Sequence, residues 1–334
     1  MSPPPQQHQP PKISTYISAN PTPLILDGAL ATYLEHLGAD LSSSLWSAST
    51  LLTQPSLIQR THLDYFRAGA HVAITASYQA SIPGLVKHLG LSEEAAKDVV
   101  RTSVKLAKMA RDEYVAERTG NGNGDDDNDD DEKLWIAGSV GPYGAYLADG
   151  SEYRGDYSIS HSSLKDFHRG RIQALVSSGV DILACETLPS KTETLALLDL
   201  LTSEFPQTEA WFTFTLRDSS HIADGTPLTQ IASLFTHTPQ VVGLGFNCVP
   251  DDLALAALKN LKPLTDKVLV VYPNSGESWN AGKREWEGAR TEGGMLEAKV
   301  VEWWGAGAGM IGGCCRTMPE DIRVMGDGLR RCRK

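Results

Sequence analysis

The chain repeats one rhythm. A short apolar run gives way to a polar or glycine-containing turn, and then apolar positions recur every three or four residues. Eight runs carry it: "LILDGAL" (24–30), "VAITASY" (72–78), "LWIAGSV" (134–140), "DILACETL" (181–188), "AWFTFTL" (210–216), "VVGLGFNC" (241–248), "KVLVVYPN" (267–274) and "GMIGGCC" (309–315). Between them, Ile58, His62, Tyr65, Phe66 and Ala70 share one helical face within 56–70. The leucine-rich 191–205 and "DDLALAALKNL" (251–261), which opens on an Asp pair suited to a cap, read the same way. Runs that are apolar throughout, rather than alternating, belong to strands buried on both faces, hence to a parallel sheet under helices. A doubly wound open sheet would also alternate, but eight units favour an α/β fold closed as a single (β/α)8 TIM barrel.

The barrel is expected over residues 21–330. The Pro/Gln-rich residues 1–20 read as a disordered tail, without the apolar core of a secretory signal. Long connections follow the third run (141–163) and the seventh (275–294). Both follow strands, so both fall on the C-terminal face, where barrel active sites are built. The segment of about 119–132 precedes a strand and falls on the opposite face.

Charge changes the picture little. The net charge is −11, but "DDDNDDDE" (125–132) holds seven carboxylates, and setting them aside leaves about −4. That run, behind "GNGNG", reads as a solvated disordered insertion, and it lacks the fixed glycine and terminal glutamate of a calcium loop. An acidic balance argues against nucleic-acid partners, and no run is long and apolar enough for a membrane span. The 41% hydrophobic content supports a large core. Five cysteines, an odd number, argue against a disulfide framework and for a cytoplasmic address, where clustered thiols mean metal or catalysis.

Three of the five stand out. Cys248 closes the sixth run, and the adjacent Cys314 and Cys315 close the eighth. Strand ends of a closed barrel converge on one mouth, so three thiols can meet although 66 residues separate Cys248 from Cys314. Adjacent cysteines make a strained disulfide. Small buried apolar cysteine is the plainer reading, and it suits Cys185 inside "ILACETL". Three thiolates with a fourth position open instead suit a catalytic zinc, while no C-x-x-C pair supports a zinc finger. Such an electron-rich ion is a poor activator of water. It can still hold one more thiol as a nucleophilic thiolate, which points to alkyl transfer to a thiol substrate.

The blocks "LDGALATYLEHLGADL", "HLDYFRAGAHVAITASYQAS", "AGSVGPYGAYLADGSEYRGDY", "LACETLPS", "GFNCVP", "VYPNSGE" and "IGGCCRTMPEDI" resemble the homocysteine S-methyltransferase family, in its order, over most of residues 24–322. The likeness is greater to members that use S-methylmethionine or S-adenosylmethionine than to betaine-dependent ones. It implies a zinc-dependent barrel that methylates L-homocysteine to methionine, with Cys248, Cys314 and Cys315 as the Zn2+ ligands. The first-strand motif departs slightly, reading Asp27-Gly28-Ala29 where relatives often carry two glycines.

The same resemblance, joined to the strand-end positions, assigns the remaining roles. Asp27 and Glu186 accept the homocysteine ammonium, and Thr75 and the backbone at Gly28 take its carboxylate or orient it. Either carboxylate alone is also explained as a strand-to-helix cap. The donor is a sulfonium, so aromatic faces suit it. Trp46, Tyr78, Tyr143 and Tyr146 are candidates, with packing as the alternative, and Trp46 is the one retained. Asn274 and Ser275 either serve the donor's amino-acid end or shape a turn. Gly307-x-Gly309-x-x-Gly312 matches a dinucleotide fingerprint, but it runs into a strand rather than following one, and no G-x-S-x-G elbow occurs. A zinc-holding, redox-sensing barrel without turnover is the competing reading.

Overall fold

In the computed structural model, which describes residues 12–41, 46–120, 133–280 and 285–332, eight parallel strands form one sheet. They are β1 (Leu24–Ile25), β2 (Val72–Ile74), β3 (Trp135–Val140), β4 (Ile182–Leu188), β5 (Ala210–Phe214), β6 (Val241–Asn247), β7 (Val268–Tyr272) and β8 (Ala308–Ile311). From β2 to β8 each strand pairs with its sequence neighbours, and β1 pairs with β8. A Leu26–Val72 bridge and the Asp27 N–H to Val72 carbonyl bond, 3.0 Å, close the cylinder between β1 and β2. The expected TIM barrel is therefore the fold.

The reason for the unbroken apolar runs is visible in the burial. Every residue of β3, β4, β5 and β6 is buried. One side faces a barrel interior that includes Leu24, Leu26, Val72, Trp135, Trp211, Val270 and Met310, and the other faces a larger cluster beneath the helices. The helices Pro55–Arg67, Lys191–Glu204 and Asp251–Leu261 match three expected segments. The Asp pair of the last is not its cap, because Pro250 holds that position. Asp251 and Asp252 lie in the first turn, where a carboxylate still complements the helix dipole.

One boundary needs correcting. The tail expected through residue 20 stops short of that, since Ile13–Ala19 is a helix. Ile13, Tyr16 and Ile17 fall at helical spacing and pack on the barrel interior, with the Tyr16 and Trp135 rings 5.8 Å apart. Ser14 N–H donates to Glu209, just ahead of β5, at 3.2 Å. This helix covers the floor formed by the strands' N-terminal ends. Residues 1–11 of the tail and 121–132 of the acidic insertion lie outside the described residues.

The strands are also shorter than the apolar runs at their C-terminal ends. β1, β2 and β8 stop at Ile25, Ile74 and Ile311, because the chain there turns across the mouth. Four described non-glycine residues adopt left-handed backbone: Ala148, Thr187, Cys248 and Arg316. All four lie at the C-terminal mouth. Strain of about 1–2 kcal/mol per such residue thus collects on one face of the molecule.

Candidate active site

Cys248 follows β6 directly, with φ of 56°, and its N–H donates to the Tyr272 carbonyl at the end of β7 at 3.2 Å. Beyond β8 the chain is pinned at every step. Gly312 N–H bonds Val271 at 3.0 Å, Gly313 N–H bonds Asp27 at 3.2 Å and Cys314 N–H bonds Pro273 at 2.8 Å. The two glycines are needed for space. A Cβ at 312 would sit 2.6 Å from that of Leu26, and one at 313 would sit 2.2 Å from Thr317 Oγ1. Thr317 Oγ1 in turn donates to the Cys314 carbonyl at 2.6 Å.

These constraints bring the three sulfurs of Cys248, Cys314 and Cys315 within 4.8 Å of one another. Cys248 and Cys315 Sγ are 3.6 Å apart, and the Tyr153 hydroxyl lies 3.3 Å from Cys248 Sγ. Hydrogen bonds from the Cys314 and Cys315 thiols hold the Cys248 thiol well below its ordinary range. Its partners are pushed up, chiefly through their bonds to Cys248. The trio therefore favours a first thiolate and resists a second unless a cation joins it. Among the described residues this is the one cluster able to hold a metal ion.

The thiols share a cavity of about 190 Å³ with Asp27, Gly28, Thr75 and Glu186. Asp27 follows β1, accepts the Ile74 N–H at 2.8 Å, and is raised well above the carboxylate range by burial, with the Glu186 charge adding to the effect. Glu186 lies inside β4. It accepts from the Ser139 hydroxyl and from Tyr272 Oη at 3.1 Å, yet burial still pushes it up to about 7. Both carboxyls stand where an incoming cation would restore their charge. Thr75 Oγ1 lies 2.8 Å from Ser77 Oγ and accepts the Ser139 N–H at 3.0 Å. Gly28 packs so tightly that a Cβ would stand 2.9 Å from the Tyr65 ring.

Other expected residues fall elsewhere. Asn274 and Ser275 line a separate small cavity with Asp251, Thr291 and Trp303 rather than the one holding the cysteines. The turn-shaping alternative describes their bonds. Asn274 N–H donates to Val249 at 3.0 Å, Ser275 N–H to Cys315 at 3.1 Å, and Ser275 Oγ to Glu277 at 2.8 Å. They brace the cysteine-bearing loops. Trp46 opens the helix Trp46–Thr53, and its side chain lies outside the described residues. Tyr143 and Tyr146 pack on Phe167 at 5.0 and 5.5 Å, while Tyr78 lines the cavity.

Several lining residues escaped the sequence reading. Glu152 and Tyr153 come from the long loop after β3, whose position on the C-terminal face was their only signal. Glu152 carries a buried Oε2 without a partner, and burial raises its carboxyl. Tyr272 ties Glu186 to Trp211 Nε1 at 3.2 Å and Thr213 Oγ1 at 2.8 Å. Asn247 clamps Thr187 through its N–H and its hydroxyl, each at 2.8 Å, and so holds a β-branched residue at φ of 61°.

A parallel barrel whose C-terminal mouth gathers three thiols beside buried carboxyls defines an enzyme with a sulfur-rich, metal-type centre. The sequence model of the homocysteine S-methyltransferase family matches residues 24–329. The chain is 50% identical over 302 residues to homocysteine S-methyltransferase of Escherichia coli (strain K12), covering 90% of this chain and 94% of that one. It is 46% identical over 300 residues to homocysteine S-methyltransferase YbgG of Bacillus subtilis (strain 168), covering 90% and 92%. It is 42% identical over 321 residues to a selenocysteine methyltransferase of Astragalus bisulcatus, covering 94% of each. The crystal structure of the Escherichia coli homocysteine methyltransferase MmuM in its metallated form superposes with a TM-score of 0.81 at 48% identity, covering 94% of this chain and 98% of that one. The chain belongs to the homocysteine S-methyltransferase family and is an enzyme of the methyltransferase class.

Proposed function

We propose that this enzyme moves a methyl group from a sulfonium donor, S-methylmethionine or S-adenosylmethionine, to the thiol of L-homocysteine, with Zn2+ held by Cys248, Cys314 and Cys315. The observation that carries the reading is the gathering of three sulfurs within 4.8 Å in one cavity with Asp27 and Glu186. The donor set fits the ion. Three sulfurs about 2.3 Å from a tetrahedral zinc are about 3.8 Å apart, against 3.6 Å between Cys248 and Cys315. Zinc so bound supplies a position for one more sulfur and keeps it deprotonated at neutral pH.

The chain's own residues do the rest. Asp27 and Glu186 receive the homocysteine ammonium, and its positive charge offsets the cost of ionising both buried carboxyls. Thr75 and the backbone at Gly28 orient the carboxylate end. Glu152 adds a third carboxyl to the cavity, and a carboxyl-lined cavity suits two substrates that each carry a cation. The methyl–sulfur bond of the donor breaks as the new carbon–sulfur bond forms, the thiol proton having been released beforehand. The products are methionine and a neutral thioether, so the leaving group needs no acid. Positive and negative charge vanish together in the transition state, which a cavity that excludes water assists. Holding the two sulfurs in line with the methyl supplies the remainder.

Among the described residues no helix is long and apolar enough to cross a membrane. The five unpaired cysteines suit a reducing compartment, and we place the enzyme in the cytoplasm. The test is methionine formation from homocysteine with each donor, before and after complete chelation and again after zinc is restored. Turnover should be lost and then recovered. Turnover indifferent to chelation would refute the reading, and zinc binding without turnover on either donor would favour the redox-sensing alternative.

A further inference from the structure

A chain of buried polar and charged groups lies behind the cavity and contributes no residue to its lining. Arg171, on the helix His161–Ser177, is only 1% exposed. Its Nη1 donates to the Tyr78 carbonyl at 2.9 Å and its Nη2 to the Gly141 carbonyl at 2.5 Å. Nη2 also lies 2.9 Å from His168 Nδ1. A guanidinium can only donate, so Nδ1 accepts, Nε2 carries the ring proton, and it donates to Glu193 Oε1 at 2.8 Å. Burial lowers the His168 pKa, which agrees with a neutral ring. Glu193, fully buried on the helix Lys191–Glu204, also accepts the Tyr143 N–H at 2.6 Å and the Tyr157 hydroxyl.

The groups held this way belong to two mouth loops. Tyr78 is in the turn after β2, next to Gln79. Gly141, Tyr143 and Tyr157 bracket the loop that carries Glu152 and Tyr153 after β3. Tyr78, Gln79, Glu152 and Tyr153 all line the cavity. Taking these charges out of water is costly, and apolar side chains would fill the same volume without that cost. What apolar groups cannot do is hold two loop carbonyls at a fixed separation, and a planar guanidinium fork does so.

The cavity lining divides in two. Asp27, Thr75, Ser139, Glu186 and Tyr272 lie in strands or within two residues of their ends, while Tyr78, Gln79, Glu152 and Tyr153 ride on the tethered loops. We propose that Arg171, His168 and Glu193 are positioning residues, a clamp that sets the loop-borne wall against which the sulfonium donor is recognised. This rests on the methyl-transfer reading, in which the strand-borne groups and the cysteines take homocysteine and leave the loops to the donor.

The experiment uses the zinc-loaded full chain with R171K, which keeps the charge but loses the fork, and Y157F, which removes one strut and leaves the fold's core untouched. Steady-state kinetics give KM for S-methylmethionine and for homocysteine. Calorimetry gives the affinity of each ligand separately, and metal analysis gives zinc per chain. The expected result is a donor KM and donor Kd raised about tenfold in R171K and about threefold in Y157F. Homocysteine affinity and zinc content should stay within twofold of wild type. Unchanged donor affinity would overturn the clamp, as would donor and homocysteine affinity weakening by the same factor. If R171K fails to fold, Y157F decides. Absence of methionine formation by wild type would instead refute the methyl-transfer reading, and donor calorimetry would still judge the clamp.

Discussion

Glu186→Gln separates binding from stability in a way that few substitutions at this site can. The carboxyl is buried inside β4, with the Ser139 hydroxyl and Tyr272 Oη as donors, and burial pushes it from its ordinary value near 4.5 up to about 7. Between those values the native protein holds a proton that the unfolded chain has released. The ligand-free protein therefore loses stability as pH rises from about 4.5 to about 7, and the loss is complete above that. A displacement of this size corresponds to about 3 kcal/mol. Glutamine never ionises, so in ligand-free protein E186Q should lie within about 1 kcal/mol of wild type near pH 5 and exceed it by about 3 kcal/mol at pH 8. Urea denaturation at the two pH values reads the difference. Function should move the other way. If Glu186 receives the homocysteine ammonium as proposed, removing its charge should cost about 3 kcal/mol, or roughly a hundredfold in kcat/KM, with Asp27 limiting the loss. A variant no more stable than wild type at pH 8 would overturn the buried-carboxyl assignment, and kcat/KM for homocysteine within threefold of wild type would overturn the role of Glu186 in binding.

Two further substitutions test other links. Gly313→Ala puts a Cβ against Thr317 and pushes its hydroxyl off the Cys314 carbonyl; zinc per chain, measured by metal analysis, should fall by at least half while the circular dichroism spectrum is retained. Ile13→Ala opens a void in the barrel floor and should cost about 2–4 kcal/mol of unfolding free energy with kcat unchanged, because the helix sits at the end opposite the cysteines.

How much of this was legible follows from where each constraint originates. The eight strands announced themselves because β3 to β6 are buried on both faces and tolerate only apolar or small residues. Cys248, Cys314 and Cys315 were legible because a closed barrel turns sequence-distant strand ends into neighbours. Asn274 and Ser275 show where that rule stops. It places a residue near the mouth, but the turn after β7 aims these two into a neighbouring cavity. The helix Ile13–Ala19 was hidden because Pro/Gln-rich composition to its N-terminal side outweighed three apolar positions. Glu152 and Tyr153 reach the cavity on a loop whose flanks bond Arg171 and Glu193, and no local pattern announces such tertiary bonds.

In the proposed enzyme three cysteine sulfurs hold zinc and leave room for a fourth from the substrate. Zinc K-edge X-ray absorption on the zinc-loaded enzyme counts those sulfurs directly, at about 2.3 Å. Three are expected without substrate and four with saturating homocysteine, and C248S should lose one cysteine sulfur. Fewer than three sulfurs in the wild-type enzyme, or a count that homocysteine leaves unchanged, would contradict this coordination.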